Sequence, residues 1–450
     1  MIINPLDNVE VREDGHKYAL REIAVGEDVV KYGMPIGHAT CTIRPGEHVH
    51  VHNVKTNLGD VLEYRYEPSF TDVVREPAPM MRAFRHADGR IGIRNDLWVV
   101  PLVGCVNDLA ERLARAVGGL CLRHPYGCSQ LGEDHENTCN TLANLVRHPN
   151  AGGVLVVALG CENNTLESFK VRLGDRSGLN VRFLRAQDPG DEYARGLELL
   201  EELDANRPKE RVEVPVSELV VGLKCGGSDG FSGLTANPLV GRFSDWLAAR
   251  GGSTVLTEVP EMFGAETLLM KRCRTRNIFE KCVRMINGFK DYYATHGQVC
   301  HENPSPGNKA GGITTLEDKS LGCVQKGGCS PVEDVLLSGE RVKSHGLSLL
   351  TGPGNDLVAS TVLAAAGCHL ILFTTGRGTP FGSVVPTVKV ASNDALAAAK
   401  PNWIDWNAMS HPDVEAFASK VLGIASGDEF AKNEINGARG IALFKDGVTL

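Results

Sequence analysis

The run VLVVALGCE, residues 154–162, is the clearest indication of the fold class. Its unbroken apolar run, which ends at a glycine, is typical of a β-strand buried on both faces of a parallel sheet. Further apolar runs of strand length occur at residues 97–103, 181–184, 219–223, 254–259, 347–350 and 369–375. Segments compatible with helices lie between several of them, at residues 108–117, 191–203 and 241–250. This alternation predicts α/β units built on largely parallel sheets.

The residue pattern divides the chain into domains on either side of this segment. Residues 1–67 are predicted to form a small β-rich domain, because short strand-like segments there are separated by turns centred on glycine and proline. Residues 68–80 mix Pro, Glu and Ser without periodicity and are predicted to be a linker. The remainder is predicted to form two α/β domains, residues 81–210 and 211–450, divided at a polar stretch.

Composition excludes several classes of protein. The 450 residues are 42% hydrophobic and carry a net charge of -8 with no Lys/Arg run, which argues against a nucleic-acid partner. The first ten residues carry charges and lack the apolar run of a signal peptide, and no apolar run in the chain approaches the roughly 20 residues of a membrane span. Thirteen cysteines without a Cys-x-x-Cys pair indicate reduced thiols. We therefore expect a cytoplasmic protein without a membrane partner, and by default a homodimer or higher homo-oligomer.

Three apolar runs lead directly into glycine-rich turns that carry reactive or polar residues. The turns contain Cys161 in Gly-Cys-Glu, Cys225 in Cys-Gly-Gly-Ser-Asp, and Arg377 in Gly-Arg-Gly. Ligands bind at the carboxyl ends of strands in open α/β sheets, where glycine lets the backbone approach closely. The pattern favours a shared crevice, although glycines also end strands that have no ligand.

Cysteine residues in loops are the first candidates for a metal site. Cys128, Cys161 and Cys225 each lie in a loop with a glycine beside them. Because thiolates prefer iron or zinc to hard ions, these three are our first choice as ligands of one iron ion or of an iron–sulfur cluster. The alternative is that they are buried small hydrophobes.

Histidines offer a rival metal site. His48, His50 and His52 alternate, so a strand would project them from one face. Their spacing of roughly 6.6–7 Å along a strand is wide for one shared ion, and hydrogen-bonded surface histidines are the alternative. His16 precedes a strand-like segment and could project from the small domain onto the large ones.

Polar loops supply candidates for binding an acidic substrate. Residues 303–312 contain two prolines and present Asn308 and Lys309 between glycines; burial could lower the pKa of the lysine and make it a general base. Arg377, between two glycines, suits bidentate recognition of a carboxylate. Glu258 and Glu261 follow a strand and could be an acid or metal ligands, or could form a salt-bridged loop. The chain has no Gly-x-Gly-x-x-Gly helix start, Walker loop or Gly-x-Ser-x-Gly, so hydride and phosphoryl transfer lose support.

Long motifs resemble the altronate/galactarate dehydratase family over essentially the whole chain. They occupy residues 92–95, 126–132, 148–152, 159–164, 225–233, 235–238, 257–264, 303–312 and 373–382. Residues 46–53, 132–135 and 316–323 are more similar to the altronate branch than to the galactarate branch. Residues 15–17 and 31–33 are similar to the matching segments of a SAF (β-clip) domain at residues 1–67.

The resemblance implies a lyase that depends on ferrous iron, Fe²⁺. It would remove the C2 proton and the C3 hydroxyl of D-altronate, a small-molecule sugar acid, to give 2-keto-3-deoxy-D-gluconate. Dehydration of galactarate or another aldonate is the alternative, followed by a sulfo-lyase reaction, a non-catalytic sugar-acid binding protein and a nicotinamide dehydrogenase.

Roles for individual residues remain hypotheses at this point. Metal ligation is assigned to Cys128, Cys161 and Cys225, with His16 or His50 as the rival. The candidates for acid–base catalysis are His124 and His135, which lie beside the Cys128 loop in sequence, together with Lys309 and His16. The candidates for substrate binding are Arg377, Asn308, Ser228, Asp229 and Asn237.

Overall fold

The computed structural model describes residues 4–59 and 62–447. It begins with a small all-β domain of two three-stranded antiparallel sheets with the strand orders β1-β2-β5 and β3-β4-β6. Their strands are β1 (Val9–Val11), β2 (Lys17–Ala19), β3 (Asp28–Lys31), β4 (Met34–Ala39), β5 (His48–Val49) and β6 (Val54–Lys55). Ile23, Val29, Ile36 and Ile43 have no exposed surface and form the centre of this domain.

The second domain is built on a four-stranded parallel sheet in the order β10-β9-β11-β12. A separate three-stranded sheet, β13-β7-β8, lies at its boundary with the third domain. The strands and helices are β7 (Met80–Arg85), β8 (Ile91–Gly92), β9 (Asp96–Pro101), α1 (Asn107–Ala116), β10 (Leu120–Cys121), α2 (Gly132–Val146), β11 (Ala151–Ala158), α3 (Leu166–Leu173), β12 (Val181–Arg185), α4 (Glu192–Asn206) and β13 (Val212–Pro215).

The third domain is built on a seven-stranded parallel sheet in the order β16-β17-β15-β14-β18-β19-β20. The first half comprises β14 (Val220–Cys225), α5 (Ala236–Ala249), β15 (Ser253–Leu256), α6 (Glu266–Met270), α7 (Arg276–Thr295), α8 (Pro306–Ala310) and α9 (Leu316–Cys323). The second half comprises β16 (Val332–Leu336), β17 (Gly346–Leu350), α10 (Asp356–Ala365), β18 (Leu370–Thr375), β19 (Thr387–Ala391), α11 (Asp394–Ala399), β20 (Trp406–Asn407), α12 (Val414–Ser426) and α13 (Lys432–Ile435).

The apolar runs of the sequence account for the buried strands. All eight residues of β11 and all six of β18 are buried, as expected for strands covered by helices on both faces. Several helices begin at a side chain that accepts a bond from the first turn, namely Thr165, Asp191, Thr275, Ser305, Thr315, Asn355, Asn393 and Asp413. The predicted fold class, a small β domain followed by α/β domains with parallel sheets, is confirmed.

The segment at residues 68–80 lies along the third domain. The backbone amide of Ser69 donates to the Lys271 carbonyl over 2.8 Å, and that of Glu76 donates to Ala249 over 2.9 Å. Strand β7, which begins at its last residue, pairs antiparallel with β13. Within the described part of the chain, no helix is both long and apolar enough to cross a membrane.

Candidate active site

The third domain encloses a cluster of charged side chains where β14 ends and just after β15. Lys224 on β14 forms ion pairs with Glu258 and, over 2.9 Å, with Asp356. Lys326 approaches Glu258 from the other side at 3.4 Å. Lys224, Glu258 and Lys326 are each at most 1% exposed. Charged side chains are rarely buried this deeply unless they are paired, and clusters of buried ionisable groups are common at active sites. The cluster is therefore a candidate functional centre.

Two thiols and a carboxylate lie within this cluster. The Cys225 and Cys323 sulfur atoms are 3.3 Å apart, and the Glu261 Oε2 atom is 3.2 Å from the first and 3.1 Å from the second. Among the described residues, these three are the one set of His, Cys, Asp or Glu whose ligand atoms lie within 4.8 Å of one another. Burial opposes ionisation of Glu261, but the ammonium groups led by Lys319, 2.7 Å away, outweigh it and hold its pKa at about 2.

The backbone at Glu258 is strained. Its φ of 72° and ψ of 58° place this residue in the left-handed region, which a side chain with a Cβ seldom adopts. In this conformation its carboxylate accepts from the Cys225 amide at 2.9 Å while it pairs with Lys224. Strain of this kind is found at functional sites, where the surrounding structure holds it in place.

The first domain docks against this centre through buried charges. The Lys17 ammonium donates to the Gly312 carbonyl over 2.6 Å and to the Asp318 carboxylate over 2.7 Å, and Lys31 reaches the other oxygen of Asp318 at 2.9 Å. All three charged side chains are at most 2% exposed. Burial lowers the pKa of Lys17 to about 8, while its ammonium and that of Lys31 hold the pKa of Asp318 well below its usual range.

A cleft of about 1170 Å³ lies where the first and third domains meet. It is lined by Glu10, Val11, Arg12, Glu13, Asp14, Gly15, Asp229, Phe231, Gly311, Gly376, Arg377, Asn393, Asp394, Ala395 and Met409. The loops after β14 and β18 form part of its wall. These two strands are neighbours. The chain leaves β14 for β15 on one side of it and later passes from β17 to β18 on its other side, so the cleft lies at a topological switch point.

The structure brings together four of the residues predicted to bind substrate. Asn308 donates to the Ser228 carbonyl over 2.8 Å, and Arg377 donates to the Gly307 carbonyl over 3.2 Å. Asp229 faces the cleft, but Ser392 and Asn393 each donate to its carboxylate over 2.8 Å, so that it also ties the loops together. Arg377 is exposed and Ser228 is buried with no partner for its hydroxyl.

Asn237, the fifth residue predicted to bind substrate, lies deeper. It is 1% exposed, accepts from Thr374 over 2.6 Å and donates to the Gly322 carbonyl over 3.0 Å. Both ends of its amide are therefore used inside the fold. These contacts favour a role in supporting the strand ends.

The histidines of the first domain lie at the same seam. The His16 Nδ1 and His48 Nε2 atoms are 3.1 Å apart, and His50 Nδ1 lies 3.2 Å from the Thr314 hydroxyl. His52 stacks beside His48 with ring centroids 5.5 Å apart. Burial, followed by the charge of Lys17, lowers the pKa of His50 to about 4, which keeps its ring neutral at pH 7. Lys309 is half-buried on α8, next to Asn308.

The remaining predicted residues lie in the second domain. Cys128 and Cys161 are exposed, and they form no tight ligand group with Cys225 in the described chain. His124 is buried; one ring nitrogen contacts the Pro101 carbonyl at 2.8 Å and the other accepts from the Tyr126 amide, which favours a structural role. His135 lies 3.6 Å from the Cys139 sulfur.

Sequence reasoning missed part of the buried cluster. Lys224 and Lys326 were not singled out, and Lys319 and Cys323 entered only as part of a motif. One signal was available for Lys224, because a lysine directly before Cys225 interrupts an otherwise apolar strand. Lys319 and Cys323 are four residues apart on α9, which places them on one face of the helix.

Taken together, the parallel sheets, the cleft at a switch point and the buried charged centre define an α/β enzyme. Family models match the chain in three consecutive parts. Residues 6–57 match the altronate/galactarate dehydratase SAF domain, residues 83–206 match the second domain of D-galactarate dehydratase/altronate hydrolase, and residues 216–449 match the C-terminal domain of D-galactarate/altronate dehydratase.

Curated relatives agree with the family models. The chain is 55% identical to altronate dehydratase of Bacillus subtilis and 52% identical to altronate dehydratase of Escherichia coli, each over 98% of this chain and 94% of the relative. It is 32% identical to galactarate dehydratase (L-threo-forming) of Escherichia coli, over 90% of this chain and 82% of the relative. The chain belongs to the D-galactarate/altronate dehydratase family, which confirms the resemblance drawn from its motifs.

Proposed function

We propose that this protein is a hydro-lyase that dehydrates D-altronate to 2-keto-3-deoxy-D-gluconate with the help of ferrous iron. The observation that carries the proposal is the near full-length identity to two proteins named altronate dehydratase, which exceeds that to the galactarate enzyme by about 20 percentage points, as 52 minus 32 gives. The charged centre and the adjoining cleft supply groups of the kind that such a reaction needs.

Binding of the acid falls to the cleft wall. The Arg377 guanidinium is exposed there and held by the Gly307 carbonyl, so it can pair with the substrate carboxylate. The buried Ser228 hydroxyl has no partner and can bind a substrate hydroxyl group. The Asn308 amide already donates to the Ser228 carbonyl and accepts from Ser305 over 2.9 Å, so we assign it the role of holding the Ser228 loop in place. Asp229 fixes the loop that carries Ser228, and Asn237 supports the strand ends beneath.

Proton transfer falls to the seam between the first and third domains. An α-proton beside a carboxylate is a very weak acid, so its removal needs a base and cationic groups that stabilise the developing charge. Lys309 and His16 are the two candidates for accepting the C2 proton, because the Gly312 amide donates to the Lys309 carbonyl over 3.0 Å and Gly312 lies against the backbone of Gly15 and His16. Arg377 would stabilise the charge that gathers on the carboxylate.

One group of residues in the buried centre fits a single iron ion. Cys225, Glu261 and Cys323 combine two soft sulfur donors with one carboxylate, a set that suits iron better than magnesium or calcium. Ferrous iron, when bound, supplies Lewis-acid stabilisation of negative charge on a substrate oxygen. Lys319 links this set to the cleft, because its ammonium lies 2.7 Å from Glu261 and 3.4 Å from the Asn308 amide oxygen.

We further propose that the enzyme works in the cytoplasm as a homodimer or higher homo-oligomer. All thirteen cysteines are free, including the Cys225–Cys323 pair at 3.3 Å, and this suits a reducing compartment. Symmetric assembly is the commonest state of soluble enzymes. Light scattering of the purified protein under reducing conditions measures the oligomer directly.

The test is anaerobic turnover of D-altronate by the purified full-length protein, with and without added ferrous iron. We expect iron-stimulated formation of a 2-keto-3-deoxy acid, and loss of that stimulation in Cys323→Ser. Cys329→Ser, which changes an exposed cysteine outside the cluster, is the matched control. If the protein turned over D-galactarate but not D-altronate, the dehydratase assignment would stand and the proposed substrate would change to D-galactarate. No product from any of a panel of aldonates and aldarates would refute the dehydratase.

A further inference from the structure

The second domain has a topological switch point of its own, which the proposed reaction does not use. In its sheet order β10-β9-β11-β12, the chain leaves β9 for one side and later returns to the other side, so β9 and β11 flank a switch point. Ligands bind at the carboxyl ends of strands in such sheets. The loops that leave β9, β10 and β11 there each carry one exposed cysteine, namely Cys105, Cys128 and Cys161.

Backbone contacts hold these three loops against one another. The Gly104 amide donates to the Tyr126 carbonyl over 2.8 Å, which joins the first loop to the second. The Asn164 amide donates to the Gly127 carbonyl over 3.0 Å, and the Ser129 amide donates to the Asn163 side chain over 3.0 Å, which joins the second loop to the third. The cysteines therefore sit on a fixed platform of three neighbouring loops.

Two residues of the platform have backbone conformations that are rare or sterically tight. A Cβ atom at Gly127, which has φ of 100°, would lie 1.9 Å from the Leu102 carbonyl oxygen. Ser129 has φ of 63°, which is rare for a residue with a side chain. Strain of this kind collects at binding sites.

A buried polar group beside the platform lacks a partner. Gln130 is 2% exposed, yet its side-chain Nε2 group has no hydrogen-bond acceptor. Buried donors of native proteins are almost always satisfied, so an unpaired one points to a ligand or ion that belongs at the site. Three helices, α1, α2 and α3, also begin just after these loops, and helix starts favour negative charge such as that of thiolates.

We propose that Cys105, Cys128 and Cys161 hold an iron–sulfur cluster and leave one iron without a protein ligand. A single tetrahedral ion keeps thiolate sulfurs about 3.8 Å apart, as metal–sulfur bonds of about 2.3 Å require. Within the described chain, these cysteines form no ligand group as tight as 4.8 Å, which argues against one shared ion. A cluster spreads its thiolates over several irons and accepts wider separations.

This assignment retains two of the iron ligands expected from the sequence and replaces the third. Cys225 faces the buried centre of the third domain, whereas the loop of Cys105 is bonded to the loop of Cys128, which in turn is bonded to that of Cys161. The proposal concerns a site separate from the altronate cleft and holds whether or not the dehydratase assignment does. Its readouts are iron, sulfide and thiol reactivity, and catalytic turnover is not among them.

The experiment uses the full chain purified without oxygen. Iron and acid-labile sulfide are measured per chain, together with visible absorption and the electron paramagnetic resonance of the reduced sample. We expect both elements in the wild type and a loss of sulfide by roughly 10-fold or more in Cys105→Ser, Cys128→Ser and Cys161→Ser. The matched controls, Cys41→Ser and Cys329→Ser, change exposed cysteines outside these three loops and keep the sulfide.

A second measurement needs no variant and guards against misfolding. In the anaerobic wild type, Cys105, Cys128 and Cys161 should resist alkylation. They should become reactive after a chelator and an oxidant remove the iron and a thiol reductant then restores the free thiols, with peptide mass spectrometry as the readout. Iron without sulfide would overturn the proposal. Free reactivity of the three thiols before removal of iron would do the same, as would full sulfide in the three serine variants.

Discussion

The buried ion triad that docks the first domain gives the sharpest test of the energetics. Asp318→Asn keeps the shape of the side chain but removes the only carboxylate that Lys17 and Lys31 contact in the described structure. All three groups are at most 2% exposed, so solvent does not screen the loss. Removal of one partner from a buried ion pair costs about 3–5 kcal/mol, because the charge left behind stays unpaired.

A comparison variant separates charge from packing. Lys31→Met keeps the length of the side chain and leaves Lys17 and Asp318 as a one-to-one pair. Its cost is the single 2.9 Å bond from Lys31 to Asp318, about 1.5–3 kcal/mol for a hydrogen bond between charged groups. Asp318→Asn should therefore be the more destabilising of the two by about 2 kcal/mol.

Hydrogen exchange of the backbone amides in β1–β6 of the full-length protein measures this directly. Since 1.4 kcal/mol corresponds to a factor of ten, Asp318→Asn should speed exchange of the slowest amides by roughly 100-fold or more. Glu27→Gln, which breaks an exposed pair with Arg21 in the same domain, should leave the exchange close to that of the wild type. Equal effects of Asp318→Asn and Lys31→Met would refute the view that unpaired charge dominates this interface.

Three further predictions concern a buried histidine, a tight glycine and the cleft arginine. Burial lowers the pKa of His369 from 6.5 to about 4, so its contribution to stability is complete above pH 6.5 and is lost as the pH falls towards 4, by about 3 kcal/mol. Thermal melts from pH 7.5 to 4 should show this slope, and a similar slope in His369→Gln would contradict the assignment. Gly233→Ala places a Cβ 2.2 Å from the Tyr32 hydroxyl and should cost about 1–3 kcal/mol in melts. Tyr32→Phe should restore part of that loss, and no recovery would remove this contact as its cause. Arg377→Ala should raise the KM for the sugar acid by roughly 10–100-fold, and an unchanged KM would exclude Arg377 from carboxylate binding.

The fold could be predicted from the sequence because its deciding segments are uniform. Apolar runs such as residues 154–159 and 369–375 have few alternatives to a buried strand, and the structure places β11 and β18 there. The same logic was right for two of the three glycine turns, because the turns after β14 and β18 lie at neighbouring strand ends and line one cleft. The third turn, at Cys161, follows β11 in the sheet of the second domain and does not reach that cleft. Prediction succeeded where one residue class repeats over several positions.

The charged centre could not be predicted in this way, since its residues have the polar composition of an exposed segment. Helix α9 contains Glu317, Asp318, Lys319 and Ser320 in succession, and a run of this kind is normally exposed to water. All eight residues of α9 are nevertheless buried, because partners from three separate parts of the chain meet them there. Lys17 and Lys31 come from the first domain, and Glu261 follows β15. Nothing local to residues 316–323 indicates that these partners exist.

Nearness in sequence to the Cys128 loop did not reveal how the buried histidine rings are oriented. His124 lies four residues before Cys128, yet its two nitrogens are taken up by backbone groups at Pro101 and Tyr126. His369 and His148 are held in the same manner, between one carbonyl and one amide. A buried imidazole that bridges two backbone groups must stay neutral, since a second ring proton would face an amide donor.

The two parallel sheets divide the chemistry of this chain between them. Each sheet has its own switch point, and the loops at that point carry its charged side chains or its thiols. In the third domain these groups are buried ions whose charges are already paired, so the centre is held rigid before any ligand arrives. In the second domain they are exposed thiols without ion pairs among the described contacts, which leaves them open to the cluster proposed above. A rigid charged centre suits a reaction that gathers negative charge, whereas open thiols suit the capture of a soft metal group. The difference in burial between Cys225 and Cys161 is thus the physical reason to separate the two sites.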